Sequence, residues 1–201
     1  MKKLLFLCLS MMLVMSLAAN DKGDKGYKVG DTATDFKLKG VDGEMHSLSD
    51  FKDVKGYVVV FTCNTCPYSV MYEDRLITLA DKAKEAGFAF VAINPNDPSV
   101  QPGDSYEKMQ VRADEKKFNF PYLFDEGQTV YPVYGATRTP HVFVMNQEMT
   151  VEYIGAVDDN ARDAAAVQQQ YVVNAMKNIV KGKPVDPSLT KAIGCSIKTK
   201  A

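Results

Sequence analysis

Residues 57–62, YVVVFT, make a continuous β-branched and aromatic run that ends against Cys63-Asn64-Thr65-Cys66-Pro67. Such a run marks a strand buried on both faces. Beyond Pro67 the apolar period changes. Val70, Leu76, Ile77, Leu79, Ala80, Ala83 and Ala86 fall on one broad helical stripe, and Gly87 stops it. Phe88 to Ile93, FAFVAI, is a second buried strand. Strand, helix and strand in that order make a βαβ unit, and the crossover rule makes its strands parallel. A pair of cysteines thereby sits where a buried strand hands over to a helix amino terminus.

The remaining chain supplies both a helix and antiparallel strands. Phe36 to Leu38 followed by Val41-Asp42-Gly43-Glu44 predicts a strand entering a turn. Residues 94–103, with three prolines, read as a loop, and Asp104-Ser105-Tyr106-Glu107 resembles a capping box opening a helix to about Phe118. Pro121 to Phe124 is a short strand, and 128–134 a brief helix that Pro132 would distort. His141 to Met145 and Thr150 to Ile154 predict a hairpin with its second strand at an edge. Val172, Met176, Ile179 and Val180 mark a last helix, closed by Gly182 and Pro184. The expected fold is therefore α/β, with a mixed sheet flanked by helices. Residues 29–182 form the expected domain, and 183–201 a C-terminal extension without a usable period.

At 201 residues with 46% apolar content, the chain can bury one sizeable core, so one domain is the default. Its net charge is −1 and no block of Lys or Arg is long, which argues against nucleic acid as a partner. Residues 1–19 read as a secretory signal: Lys2 and Lys3, an apolar stretch from Leu4 to Leu17, then the small-x-small site Ser16-Leu17-Ala18. That stretch is shorter than the roughly 20 residues a spanning helix needs, so cleavage rather than stable membrane insertion is expected. Residues 20–28 follow as a polar, flexible leader. The expected location is exported, periplasmic or otherwise extracytoplasmic. There a cysteine pair is either a structural disulfide or one kept for use. Removal of Cys8 leaves Cys63, Cys66 and Cys195, an odd number.

A thiolate, not a thiol, attacks disulfides and peroxides, and helix-terminal N–H groups lower a cysteine's pKa. With the helix opening near Cys63 or Asn64, Cys63 is the expected exposed nucleophile and Cys66, one turn inward, its resolving partner. A plain crosslink is the competing interpretation, but so short a loop restricts the unfolded chain by only about 2 kcal/mol or less. Zinc would need a second cysteine pair, and Cys195 with His141 is a poor substitute. No metal or other cofactor is expected.

These features resemble the thioredoxin superfamily, and in detail the redoxin-domain proteins of the AhpC/TSA group, related to TlpA-like reductases and peroxiredoxins. The matching pieces are VGDTATDFKL, VVVFTCNTCPYS, FVAINPND, NFPYLFDE, YGATRTPHVFV, YIGAVDDN and TKAIGCSIK, which span nearly all of residues 29–198. The resemblance implies a thioredoxin-like fold and a cis Thr139-Pro140 segment that faces the dithiol and aligns a substrate's backbone. Two departures bear on mechanism. Tyr57 stands where thioredoxin-like reductases often carry a buried acid. In the peroxiredoxin motif Cys66 takes the peroxidatic position and Cys63 the threonine position, while Arg138 is displaced from the peroxiredoxin arginine. The first bears on proton transfer in exchange, while the two peroxiredoxin differences, at Cys63 and Arg138, favour disulfide exchange over peroxide reduction.

The expected function is an exported thiol:disulfide oxidoreductase acting on protein disulfides or dithiols and recharged by an upstream electron donor. The alternatives are a thiol peroxidase using Cys66 or Cys63, and a Sco-like copper chaperone using His141 with the CxxC. Cys195 is a candidate for resolving a mixed disulfide or sulfenic acid, or else a packed small side chain. Tyr68 is placed to shape a docking surface beside the dithiol, or to join the core. His46 reads as a loop residue, and Asp158-Asp159-Asn160 as turn or capping chemistry.

Overall fold

The computed structural model describes residues 26–200. The expected signal and most of the expected leader lie outside them. In chain order the elements are β1 (Leu38–Gly40), β2 (Met45–His46), β3 (Gly56–Phe61), α1 (Pro67–Ala86), β4 (Phe88–Asn94), α2 (Tyr106–Lys116), β5 (Tyr122–Phe124), α3 (Tyr131–Tyr134), β6 (Arg138–Thr139), β7 (His141–Asn146), β8 (Val151–Gly155), α4 (Tyr171–Val180) and β9 (Cys195–Ser196).

Seven strands form one sheet in the order β2-β1-β5-β4-β3-β7-β8. β3 runs parallel to β4 and β4 to β5, whereas β7 lies antiparallel to β3 and pairs with β8 in a hairpin at the edge. The mixed sheet and its flanking helices make the fold thioredoxin-like. β3 explains its composition, because Val58 and Val60 enter one core while Val59 and Phe61 enter the other. The first core is covered by Tyr72, Leu76 and Leu79 of α1, Met109 of α2 and Met176 of α4. On the second face, Leu48 and Phe36 of the amino-terminal segment and Tyr134 of α3 close over Phe61 and Phe143.

α1 ends as its sequence predicts: Gly87 takes the left-handed conformation, φ 82°, and its N–H bonds back to the last turn. Its start differs. Cys66 is the N-cap and Pro67 the first helical residue, so the helix opens a turn later than Cys63. The cap of α2 also differs, for Ser105 accepts from the Lys108 N–H while Asp104 turns inward. Pro132 starts α3 rather than distorting a longer helix, because a first turn needs no N–H from it. His46 lies in β2, not in a loop, with Nε2 on the Asp42 carboxylate at 2.8 Å.

The extension beyond Gly182 packs onto the domain. It makes two backbone hydrogen bonds with Ile154 of β8, whose N–H donates to the Ser188 carbonyl and whose carbonyl accepts from the Thr190 N–H. Farther on, β9 pairs antiparallel with β6, with Cys195 opposite Thr139 and Ser196 opposite Arg138. Among the described residues no helix is long and apolar enough to cross a membrane.

Candidate active site

The dithiol loop lies between the end of β3 and the start of α1, and a carboxylate from far along the chain holds it. Asp104, fully buried, accepts from the Asn64 N–H at 2.8 Å, the Thr65 N–H at 3.1 Å, the Thr65 hydroxyl at 2.9 Å and the Asn96 amide at 2.6 Å. Asn64 in turn donates to the Gly103 carbonyl and accepts from the Tyr122 hydroxyl, each at 3.0 Å. Sequence reasoning missed Asp104. Its local context reads as helix capping, and no periodicity ties it to a loop 40 positions earlier.

Both sulfurs are buried, Cys63 at 3% exposure and Cys66 at 4%, which corrects the expectation of an exposed first cysteine. They line a cavity of about 210 Å³ with Thr65, Asn96, Gln101, Cys195, Ser196 and Lys198. Thr139-Pro140 is a cis peptide and faces the pair. The Thr139 hydroxyl lies 3.2 Å from Cys63 Sγ, and its carbonyl oxygen 3.1 Å from Cys66 Sγ.

The two sulfurs share one ionisation unequally. A hydrogen bond to Cys66, burial and the nearby Asp104 carboxylate push the Cys63 thiol far up. Cys66 is lowered to about 4, first by the hydrogen bond from Cys63 and then by the Cys195 thiol and the N–H groups of Ser69 and Cys195, against the cost of burial. The Cys195 N–H reaches Cys66 Sγ at 3.3 Å. The Thr139 carbonyl pulls the other way, accepting from a Cys66 thiol, but four donors outweigh one acceptor. The N-cap position adds the helix's positive end to Cys66 rather than Cys63. The hydrogen bonds and the N-cap thus favour charge on Cys66 over Cys63, whereas the earlier helix start expected from the sequence favoured Cys63.

The other candidates fall in different places. The Arg138 guanidinium donates to the Gly194 carbonyl at 2.9 Å, so it binds the C-terminal segment. Tyr68 is half-buried and belongs to neither core cluster. His141 is buried on the Phe61 and Phe143 face, its Nδ1 accepts from the Thr137 N–H at 3.3 Å, and burial lowers its pKa to about 4. It thus lies across the sheet from α1. Among the described residues no group of three or more His, Cys, Asp or Glu has the arrangement to hold a metal ion. Asp158 is the centre of a buried cluster, accepting from the Tyr72 hydroxyl at 2.6 Å and Arg75 at 2.8 Å, while Asp159 and Asn160 accept from nearby backbone N–H groups.

Comparison with known proteins places these features in context. The model of the AhpC/TSA family matches residues 29–154. A thiol-disulfide oxidoreductase, ResA, of Geobacillus thermodenitrificans (strain NG80-2) is 27% identical over 158 residues, covering 77% of this chain and 84% of the relative. The crystal structure of an uncharacterized conserved protein from Geobacillus kaustophilus is 35% identical with a TM-score of 0.80, covering 86% of this chain and 93% of that one. A hypothetical protein from Sinorhizobium meliloti 1021 is 33% identical with a TM-score of 0.81, over 88% of this chain and 97% of its own.

Proposed function

Because the chain belongs to the AhpC/TSA family, we propose that it is an exported thiol-disulfide oxidoreductase whose working group is the Cys63/Cys66 dithiol. The carrying observation is the Cys66 sulfur, seated at the N-cap of α1 and surrounded by hydrogen-bond donors. The likeness to ResA supports disulfide exchange as the reaction class. The Cys66 thiolate attacks one sulfur of a substrate disulfide, and the other substrate sulfur leaves as a thiolate and takes up a proton. The Cys63 thiol then attacks Cys66 Sγ, gives up its proton and releases the second substrate thiol. The chain is left with a Cys63–Cys66 disulfide, which an upstream dithiol donor reduces. Thr139-Pro140 forms the wall against which the sulfurs are held, and no cofactor takes part.

Peroxide reduction is the second reading, favoured by the small cavity and by Cys66 in the peroxidatic position. Against it, among the described residues no guanidinium lines the cavity to meet bound oxygens, and Arg138 is held on the Gly194 carbonyl.

The test is to measure reduction of a disulfide substrate and of hydrogen peroxide by the wild type, Cys63→Ser and Cys66→Ser. Cys66→Ser is expected to lower disulfide reduction by about 10³-fold or more. The double variant Cys63→Ser/Cys195→Ser, which leaves Cys66 no neighbouring thiol, should react once and stall as a mixed disulfide on Cys66. Peroxide turnover that outruns disulfide reduction and survives Cys63→Ser would overturn this assignment in favour of the peroxidase. Export is tested by sequencing the amino terminus of the protein recovered from the producing cell, with a start near Ala19 or Asn20 expected and an intact Met1 counting against it.

A further inference from the structure

The sulfur cluster has a third member that the dithiol reaction does not use. Cys195 stands opposite Thr139 in the β6–β9 pair, its N–H donates to Cys66 Sγ at 3.3 Å, and it lines the same cavity as the two buried sulfurs. It is half-buried, whereas they are almost wholly covered.

The segment that carries it is a fixed part of the site. The Ile197 N–H donates to the Thr137 carbonyl at 3.3 Å, the Lys198 N–H to Asn96 at 2.8 Å, and Arg138 to the Gly194 carbonyl at 2.9 Å. A β-carbon on Gly194 would stand 2.1 Å from the Thr139 carbonyl oxygen, so only glycine lets the two backbones press together here. With β9 in place, the strand edge of β6 beside the sulfurs is already paired and closed to a partner's backbone. In the same cavity of about 210 Å³, Cys195 is the least covered of the three cysteines.

Accepting the Cys63/Cys66 dithiol as the working pair, we propose that Cys195 is the exit thiol of the site: it exchanges a disulfide with Cys66, and it is the sulfur that an outside thiol attacks. In the oxidised chain the Cys195 thiol attacks Cys66 Sγ, the bond to Cys63 breaks, and Cys63 leaves with the proton that Cys195 gives up. An outside thiolate then attacks Cys195 Sγ and Cys66 leaves as a thiolate. The second thiol of that outside dithiol breaks the mixed disulfide, so two electrons enter the chain and the dithiol departs as a disulfide.

The electrostatics suit both steps. Cys195 is pushed up to about 11 by burial, then by its hydrogen bond to Cys66 and by the Cys66 charge. The last two causes vanish when Cys66 is in a disulfide, so Cys195 ionises more readily at the stage that needs it. The low pKa of Cys66 makes it the better leaving group, which directs outside attack to Cys195.

The test uses the full chain carrying Cys63→Ser, reduced, then oxidised with one equivalent of diamide and mapped by non-reducing peptide mass analysis. A Cys66–Cys195 link is expected in most chains. Glutathione added to that product should appear on Cys195 in preference to Cys66 by about tenfold or more. Absence of the link, a link that glutathione leaves intact, or an adduct mainly on Cys66 each overturns the proposal. Cys195→Ser under the same oxidant should still close Cys63–Cys66. If it does not, the failure belongs to the dithiol assignment itself.

Discussion

At the scale of single residues, the chemistry depends on which sulfur holds the negative charge. The Cys66 thiolate should persist in the reduced protein as pH falls from neutrality and disappear only near about 4, read by its ultraviolet absorbance. Cys66→Ser should remove that signal, and a signal that instead vanishes with Cys63→Ser alone would reverse the assignment. His141 gives a second pH effect, this time on stability. Its folded pKa is lowered from 6.5 to about 4, so the unfolded chain binds the proton first. Stability on this account is full above 6.5, falls as pH drops through that window, and has lost about 3 kcal/mol once pH is below the folded value. Denaturant unfolding across the window should show a slope to which His141 and the lowered Cys66 thiol contribute with the same sign, and His141→Gln should reduce it to the Cys66 share whatever it does at neutral pH.

Between elements, the dithiol loop is held from outside the βαβ unit that contains it. Asp104 precedes α2 and satisfies two backbone N–H groups of the loop, which makes it a clamp rather than a helix cap. Asp104→Ala should destabilise the protein by about 2–4 kcal/mol, measured by urea unfolding, because it strands buried donors. Asp104→Asn should cost less, since an amide oxygen still accepts. α1 has a second clamp at its middle. Arg75 stacks on the Tyr72 ring at 3.8 Å and binds Asp158, which follows β8. Asp158→Ala removes the guanidinium's counter-charge, leaving it the Asn160 and Ala161 carbonyls, and strands the Tyr72 hydroxyl, so a loss of about 2–4 kcal/mol is expected in the same measurement. A loss below 1 kcal/mol would show the cluster to be solvated.

Across the whole molecule, the C-terminal segment closes the site, and its removal from β6 should open it. Gly194→Ala forces a β-carbon against the Thr139 carbonyl, and overpacking of this kind costs about 1–3 kcal/mol. That is enough to raise the rate at which a bulky maleimide reaches Cys66 about tenfold, provided the segment opens locally without global unfolding. An unchanged rate would mean that access runs by another route. The βαβ core, the dithiol at its junction, the Gly87 stop and the β7–β8 hairpin are all legible in the linear chain, because periodicity and turn chemistry act between near neighbours. Long-range packing settles what near neighbours do not: that α1 opens at Pro67, that Asp104 clamps the loop, and that the Cys195 N–H and the Thr139 carbonyl reach Cys66 Sγ in particular. Those groups come from 40 to 129 positions away, and a sulfur's ionisation is set by every donor and charge around it, wherever along the chain each one originates.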